Sequence, residues 1–285
     1  MRRQTPSTAA MQGLAGADPV ERKGPLENPA MLSALVVVHN EDRRLTACLE
    51  RLRFADEIVV VLDRCSDGSA DIARQFSARL VEGGWEMEAD RRNIGIDACR
   101  GDWILEVDAD ERVPPALAAE IRSIIDQPGA DRHLIPVDNY IGDRLVRYGW
   151  GGSFGKGAYH GLFRKGCKRW GSGRVHPKIH LSGQQGRTLN NPIDHLVDRS
   201  ISDMLRRLDS YSTARAQDLR DHGDPDSTLT YIRRFWGRIY KCYLYHHGYR
   251  EGGWGVLIAI CAGLYPLLSH LKAKLEPNPS PGSPS

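Results

Sequence analysis

An almost unbroken apolar run at Met31–Val38, MLSALVVV, constrains the fold of this 285-residue chain more than any other feature. A half-exposed strand alternates apolar and polar residues, whereas a β-branched run without alternation is typical of a strand buried on both faces of a parallel sheet. Such a strand needs helices on both of its faces. The run therefore predicts that an α/β core begins at Met31.

The segments that follow alternate between helical and extended patterns. We predict helices at 43–53, 69–79 and 88–100, and strands at 57–62, 80–81 and 103–107. Short links between them indicate right-handed βαβ crossovers, and hence a Rossmann-like, doubly wound, mainly parallel sheet. Sheets of this kind bind ligands at the carboxyl ends of their strands.

The chain divides into four predicted regions. Residues 1–30 and 276–285 are rich in small residues and proline and lack hydrophobic periodicity, which predicts two disordered tails. Residues 31–199 form the predicted α/β domain. Residues 200–275 are expected to form a helical C-terminal region, in which an apolar segment at 254–271 follows two amphipathic helices.

Composition excludes several classes of function. The 39 basic and 36 acidic residues give a net charge of +3, which is too balanced for a nucleic-acid binder that relies on phosphate neutralisation. No C-x-x-C pair occurs among the six cysteines, so reduced thiols are expected. No apolar stretch follows Arg2 and Arg3, so the sequence predicts no cleaved secretory signal and a domain that stays in the cytoplasm.

Three polar clusters follow predicted strands and should therefore meet at one edge of the sheet. They are His39-Asn40-Glu41, the segment 63–69, and Asp108-Ala109-Asp110-Glu111. Two carboxylates one residue apart after a strand can hold a divalent cation and a sugar hydroxyl. A nucleotide sugar needs an acceptor for its base, groups for its ribose and a metal for its diphosphate, and this edge offers each of them. For Ser66 and Asp67 a simpler interpretation stays open, because either residue could cap the next helix.

Four segments resemble family 2 glycosyltransferases with the GT-A fold: LVVVHNE, EIVVVLDRCSDGS, RRNIGI and GDWILEVDADERV. Five later ones resemble, more narrowly, the lipopolysaccharide-core glucosyltransferase subfamily: LFRKG, GRVHPKI, IDHL, SYSTARAQDL and the apolar C-terminal helix. The resemblance covers Leu32 to about Leu275. It implies an inverting hexosyltransferase that moves glucose from a UDP-linked donor to a lipopolysaccharide-core or other envelope glycan.

The resemblance also implies roles for individual residues. Asp110 would bind Mg²⁺ or Mn²⁺, Asp63 would accept a hydrogen bond from the nucleotide base, and Asp108 would contact ribose or sugar. The other nucleotide-sugar ligands that we predict are His39, Asn40, Glu41, Ser66, Arg92, Asn93 and Arg164. Arg164 belongs to a basic region with Lys165, Lys168, Arg169 and Arg174, which could neutralise a diphosphate, hold a phosphorylated acceptor or be a solvated hairpin.

An inverting transferase needs a general base at the acceptor hydroxyl. Members of the resembled subfamily usually carry Glu after the V-H dipeptide, but this chain has Val175-His176-Pro177, and proline cannot serve. Three candidates remain: His176, whose imidazole titrates near neutral pH, Asp138 after the predicted strand HLIPV, and Glu111.

The implied partners are a nucleotide-sugar donor, a lipid-linked or lipopolysaccharide glycan acceptor and the inner-membrane surface, with no nucleic acid. At about 18 residues the segment 254–271 is marginal for a membrane span, and Gly255, Gly263 and Pro266 are expected to interrupt a regular helix. We expect peripheral attachment at the cytoplasmic face. The alternatives are packing within the protein or a homodimer, and a true span. Two other functions stay open: a nucleotidyltransferase and a catalytically degenerate sugar-binding subunit.

Overall fold

The structure is a computed structural model, and it describes residues 29–127, 129–151, 155–171, 178–223 and 226–277. Except for their inner ends, the two predicted tails lie outside the described residues. The strands are β1 (Leu32–Val38), β2 (Glu57–Asp63), β3 (Arg79–Gly83), β4 (Trp103–Asp108), β5 (Glu111–Arg112), β6 (Arg132–Ile141), β7 (Arg144–Val146), β8 (Ala158–Arg164), β9 (Lys168–Trp170), β10 (Ile179–Leu181) and β11 (Ile193–Asp198). The α-helices are α1 (Asp42–Glu50), α2 (Ser69–Gln75), α3 (Glu88–Ala98), α4 (Pro115–Ile125), α5 (Ile201–His222), α6 (Thr228–Tyr240) and α7 (Gly253–Leu275).

The first half of the main sheet is parallel. β1 lies in its interior, with β2 and then β3 on one side and β4 on the other. Successive residues of β1 enter different layers, since Val36 packs in the same cluster as Leu45 and Ile121, and Leu35 in the same cluster as Ile96. Helices α1 and α4 therefore cover one face and α3 covers the other, as an apolar strand without alternation requires.

Beyond β4 the strand directions become mixed. β8 pairs antiparallel with both β4 and β6, β11 runs parallel to β6, and β5 pairs antiparallel with β11. The predicted α/β class with a helical C-terminal region is confirmed, and the mixed half adds pairings that the sequence did not reveal. β6 extends through Asp138 to Ile141. The expectation that Asp138 follows the strand is therefore wrong.

Helices α5, α6 and α7 pack together beside β6 and β7. Their shared core includes Ile141, Val146, Met204, Leu208, Ile258 and Tyr265. A π-helical turn, Lys241–Tyr245, and a 3-10 turn, Gly248–Glu251, connect α6 to α7.

Helix α7 runs without a break through Pro266, so the predicted interruption of this segment is wrong. Its glycines permit close packing instead. A Cβ on Gly263 would lie 2.9 Å from the carbonyl oxygen of Phe235, and one on Gly255 would lie 1.7 Å from that of Gly248. By length and composition α7 could cross a membrane, yet 56% of its apolar window is buried inside the protein. Much of the apolar surface that the sequence offered to a membrane is thus covered by protein.

Candidate active site

Polar side chains tie the ends of β1 and β2 together. Nδ1 of His39 lies 2.6 Å from the carbonyl oxygen of Asp63. The side-chain oxygen of Asn40 accepts a hydrogen bond from the N–H of Ser66 at 2.8 Å. Asn40 has a φ of 56°, a left-handed conformation that asparagine adopts more readily than most residues. Three of the predicted ligands therefore bridge two strand ends where α/β sheets bind their ligands.

Asp67 precedes the N-cap of α2, which is Gly68, so the interpretation of Asp67 or Ser66 as the N-cap is wrong. Its carboxylate accepts hydrogen bonds from the N–H of Ser69, the first residue of α2, at 3.0 Å and from the N–H of Asp42 at 2.9 Å. These bonds satisfy N–H groups at the starts of α2 and α1, which lack partners within their own helices. Asp67 thus shapes the loop beside the strand ends.

The carboxylate of Asp63 is buried at the end of β2 and engaged by the protein itself. It accepts hydrogen bonds from the N–H of Trp85 at 3.0 Å, from Arg64 at 3.2 Å and from Arg91 at 3.0 Å. Burial acts to raise the pKa of Asp63, but these donors outweigh it and the pKa is lowered. Asp63 therefore stays ionised and positions two guanidinium groups at the sheet edge.

Asp108 ends β4 between two cations. Arg92 donates to one carboxylate oxygen at 3.0 Å, and the amine of Lys156 contacts the other. Glu111 lies beside it, accepting the N–H of Asp108 at 2.9 Å and pairing with Lys156 at 3.2 Å. Burial acts to raise the pKa of both carboxyls; Lys156 and Arg92 reverse this at Asp108 and hold its pKa well below the usual range. At Glu111 burial prevails over Lys156 and the pKa is raised, with Asp108 and Asp110 adding to the rise.

Asp110 is held more loosely. Its carboxylate lies 3.6 Å from Arg44 and 3.5 Å from Nε2 of His195, beyond normal hydrogen-bond lengths, and its side chain is 25% exposed. His195 is in turn oriented by Asn139, whose side-chain oxygen lies 2.9 Å from Nδ1. Burial raises the pKa of Glu41, and Asp110 adds to the rise while Arg44 opposes it. The charge of Asp110 thus acts against the ionisation of Glu41.

A divalent cation fits the chemistry of this edge. Asp110 offers carboxylate oxygens, the hard ligands that Mg²⁺ and Mn²⁺ prefer, and a cation would relieve the repulsion between Asp110 and Glu41. Within the described residues, no group of three or more His, Cys, Asp or Glu side chains is arranged to hold a metal.

A buried ion network holds Arg92 in place. Glu106 accepts hydrogen bonds from Arg92 at 2.7 Å and from Lys168 at 2.6 Å. Burial acts to raise the pKa of Glu106, but the two cations outweigh it and lower the pKa. The Arg92 guanidinium also stacks 4.8 Å from the centre of a Trp170 ring. The Asn93 side chain accepts the N–H of Trp170 at 3.0 Å and donates to its carbonyl oxygen at 2.8 Å.

The fold disperses the predicted basic region. Arg164 pairs across the sheet with Trp103, the first residue of β4, whereas the ligand edge lies at the last residue of that strand. β8 runs antiparallel to β4, so its final residue, Arg164, lies at the edge of the sheet opposite to Asp108. Lys168 is buried in the ion network with Glu106. Arg174 lies outside the described residues.

The three candidate bases differ in position. Asp138 alternates with Asn139 along β6, so it leaves the face of the sheet opposite to the cluster. Glu111 is inside the cluster but fully buried, and its carboxylate also takes the hydroxyl of Tyr159 at 3.1 Å. His176 lies outside the described residues.

Sequence reasoning missed Lys156 and His195. Lys156 stands in the glycine-rich segment GWGGSFGKG, whose composition indicates turns but no chemistry. Its contact with Asp108 joins residues 48 positions apart, which no local pattern reveals. His195 stands in IDHL, one of the segments that carry the family resemblance, and that segment was the available signal.

Comparison with known proteins shows which class of protein the α/β half of this chain resembles. Residues 33–149 match the family described as Glycosyl transferase family 2. The comparisons support a glycosyltransferase, and this stretch, which runs from β1 to just past β7, resembles family 2. The chain is 25% identical, over 259 residues, to the lipopolysaccharide core biosynthesis glycosyltransferase LpsC of Rhizobium meliloti (strain 1021), a match that covers 85% of this chain and 91% of that protein.

Other similar proteins match over smaller parts or more distantly. An uncharacterized glycosyltransferase of Rickettsia bellii (strain RML369-C) is 31% identical over 104 residues, 36% of this chain and 35% of that one. The structure of S. aureus TarS 1-349 overlaps 78% of this chain and 75% of its own, with a TM-score of 0.44 and 13% identity. Glucosyl-3-phosphoglycerate synthase of Mycobacterium tuberculosis, solved with Mn²⁺, UDP and glucosyl-3-phosphoglycerate, overlaps 39% of this chain and 44% of its own at a TM-score of 0.34 and 15% identity.

Proposed function

We propose that this chain transfers a hexose, glucose by resemblance, with inversion from a UDP-linked sugar to a lipopolysaccharide-core or other envelope glycan. The observation that carries the proposal is the carboxylate cluster at the end of β4, where Asp108 sits between Arg92 and Lys156 and Asp110 stays partly exposed. The similarity to LpsC over most of both chains supports the class of acceptor.

In this proposal each cluster at the sheet edge binds a different part of the nucleotide sugar. The base lies near Asp63, ribose or sugar near Asp108, and the diphosphate near Asp110. Mg²⁺ or Mn²⁺ held by Asp110 would supply Lewis-acid stabilisation of the leaving diphosphate. Arg91 and Arg92 are already fixed by buried carboxylates, so they can stabilise developing negative charge without reorganising.

We retain His176 as the proposed general base. Glu111 is fully buried with its carboxylate engaged, and Asp138 leaves the other face of β6. A neutral imidazole can take the proton of an acceptor hydroxyl near physiological pH.

We further propose a division of labour along the chain. Residues 31–199 would bind donor and acceptor, and residues 200–275 would hold the enzyme peripherally at the cytoplasmic face of the inner membrane, where a lipid-linked acceptor is within reach. The cationic and aromatic character of residues 228–245 supports this attachment.

Hydrolysis of nucleotide sugars tests the reaction class. The full chain should release UDP slowly from UDP-glucose with Mn²⁺, and a chelator should abolish this. A screen of nucleotide sugars by thermal shift should show which donor stabilises the protein most. A nucleotidyltransferase would instead release pyrophosphate from a nucleoside triphosphate, and a degenerate subunit would be stabilised by a donor that it never hydrolyses. Either of those results contradicts the proposal.

A further inference from the structure

An apolar stripe on α6 remains uncovered after the C-terminal helices have packed. It consists of Leu229, Ile232, Trp236 and Tyr240, and continues to Leu244 in the following π-helical turn. These residues recur every three or four positions, which places them on one side of a helix. They are between 40% and 67% exposed. We call this surface the α6 stripe.

The α6 stripe is not the face by which α6 joins the protein. That face carries Tyr231, which is 5% exposed, and Cys242 in the π-helical turn, which is 2% exposed. A Cβ on Gly263 of α7 would touch the carbonyl oxygen of Phe235, which shows how closely α7 approaches the same face. Helix α6 therefore has one apolar face packed on protein and a second one facing outward.

Cations lie beside the α6 stripe, and the segment 228–245 contains no Asp or Glu. Its four basic residues are Arg233, Arg234, Arg238 and Lys241. Arg234 pairs with Asp226 at 2.8 Å, and Arg238 lies 5.9 Å from the ring centre of Tyr265. Arg233 and Lys241 are both exposed. The stripe thus combines exposed Trp and Tyr rings with positive charge, the pattern of a helix that lies in the interface of an anionic bilayer.

We propose that the α6 stripe, rather than the apolar helix α7, docks this protein on an anionic lipid surface. The inference specifies the membrane attachment proposed above and rests on it. More than half of the apolar window of α7 is buried inside the protein, so those buried residues cannot also contact a bilayer unless the helices separate. The α6 stripe is available without any rearrangement.

Charge favours a lipid surface over a second copy of this chain. In a twofold dimer the same patch faces itself, so Arg233 and Lys241 would meet their own copies with no carboxylate supplied by 228–245. Anionic headgroups instead complement these cations, and the interfacial layer suits the Trp236 and Tyr240 rings.

Vesicle sedimentation of the full chain tests the proposal. The protein should bind vesicles of phosphatidylcholine and phosphatidylglycerol in equal parts, bind pure phosphatidylcholine weakly, and be released by high salt. The double variant Trp236→Gln/Tyr240→Gln should weaken binding by about tenfold or more. Arg233→Gln/Lys241→Gln should weaken it about twenty-five-fold, because each of the two cations contributes about fivefold near an anionic surface.

Two control variants remove an exposed apolar side chain or two exposed positive charges at positions outside the α6 stripe. Leu275→Gln alters an apolar side chain that is 77% exposed at the far end of α7. Arg74→Gln/Arg100→Gln removes the same charge from the sheet domain, where these side chains are 56% and 69% exposed. Both should bind vesicles like the wild type.

The readouts separate docking from catalysis. Stripe variants should melt at the wild-type temperature and hydrolyse donor in solution at the wild-type rate, since no stripe residue lies at the sheet edge. If the protein binds vesicles but hydrolyses no donor, the proposed reaction is contradicted and the docking proposal still holds. The docking proposal is overturned if the wild type ignores anionic vesicles or if stripe variants bind like the wild type. It is also overturned if light scattering shows a dimer that Trp236→Gln turns into a monomer.

Discussion

The ends of β2 and β4 each present an aspartate at the same sheet edge, but the protein treats the two differently. Asp63, after β2, is 1% exposed in its side chain and takes three donors at 3.0–3.2 Å. Asp110, after β4, is 25% exposed, and its nearest basic neighbours, Nε2 of His195 and the guanidinium of Arg44, stand at 3.5 and 3.6 Å. The carboxylate of Asp63 is fully hydrogen-bonded by protein groups. The carboxylate of Asp110 stays open to solvent and to a ligand.

Burial explains why the two sites must differ in their response to substitution. A buried charge is tolerated only when it is paired and hydrogen-bonded, so removing Asp63 leaves Arg64 and Arg91 without their partner. Asp110 is partly solvated, so its removal costs the folded protein little. Structure and donor affinity should depend on the β2 end, and the chemical step on the β4 end.

The largest effect should come from Asp110→Ala. Transfer should fall by about a thousandfold, since a group that stabilises charge at the reacting centre is lost, while the melting temperature stays near the wild-type value. The matched control is Asp71→Ala, which removes an acid that is 80% exposed on α2 and should leave the rate unchanged. Retention of a tenth or more of wild-type transfer would remove Asp110 from the metal site.

Lys156→Met should follow, with transfer reduced about a hundredfold. The substitution leaves Asp108 and Glu111 facing each other without the cation between them, and should lower stability by about 1–2 kcal/mol after allowance for the partial exposure of Lys156. Lys156→Arg should restore part of the rate. Lys165→Met is the control, because the amine of Lys165 donates to a backbone carbonyl, that of Cys99, and not to the Asp108–Glu111 pair. Equal losses of transfer rate in Lys156→Met and Lys165→Met would show that transfer does not depend on a cation at position 156 in particular.

A smaller and different effect is expected of Asp63→Asn. The donor KM should rise about tenfold with kcat changed by less than about twofold, because the donors at the β2 end would be positioned less well while the β4 end stays intact. A loss confined to kcat would reverse the assignment of the two sites.

The same variant has a pH signature. The pKa of Asp63 is lowered in the folded protein, so its contribution to stability is present above the unfolded pKa of about 3.9 and lost as pH falls below it. The gap in unfolding free energy between wild type and Asp63→Asn should therefore close below about pH 4. A gap that persists there would mean that the charge of Asp63 does not supply its contribution.

The smallest kinetic effect should come from Glu120→Gln, since Glu120 is satisfied by protein but lies away from the edge. Burial acts to raise its pKa, but hydrogen bonds from Asn190, Asn191 and Arg187 lower it to about 2. The substitution should cost about 1–2 kcal/mol of stability at neutral pH and leave KM and kcat unchanged. The loss should disappear between about pH 4.3 and pH 2, where wild-type Glu120 becomes protonated. Denaturant unfolding at several pH values measures it.

The parallel half of the fold was predictable because its information is local. β1, β2 and β4 are apolar runs, and a short helix follows each strand from β1 to β3, so the clusters at His39, Asp63 and Asp108 follow from the strand ends. The mixed half of the sheet could not be predicted in this way, because β6 pairs with β8 and β11, which lie far along the chain. The sequence HLIPV therefore gave no sign that the strand continues through Asp138.

The C-terminal region shows a second limit of sequence reasoning. The composition of α7 correctly indicated an apolar helix, but burial of that helix depends on α5 and α6, which cover it from two sides. The exposed Trp236 on α6 depends on the same packing, because an amphipathic pattern does not say which face a neighbour will cover.

The close approach of Gly255 to Gly248 has a mechanical consequence. Gly149 joins the same contact, where a Cβ would lie 3.1 Å from the Cα of Gly248, and its N–H donates to the carbonyl oxygen of His246 at 2.9 Å. The segment that follows β7 thus packs backbone to backbone against the start of α7. A displacement of the start of α7 meets no flexible side chain at this joint, so it is passed directly to Gly149 and the end of β7.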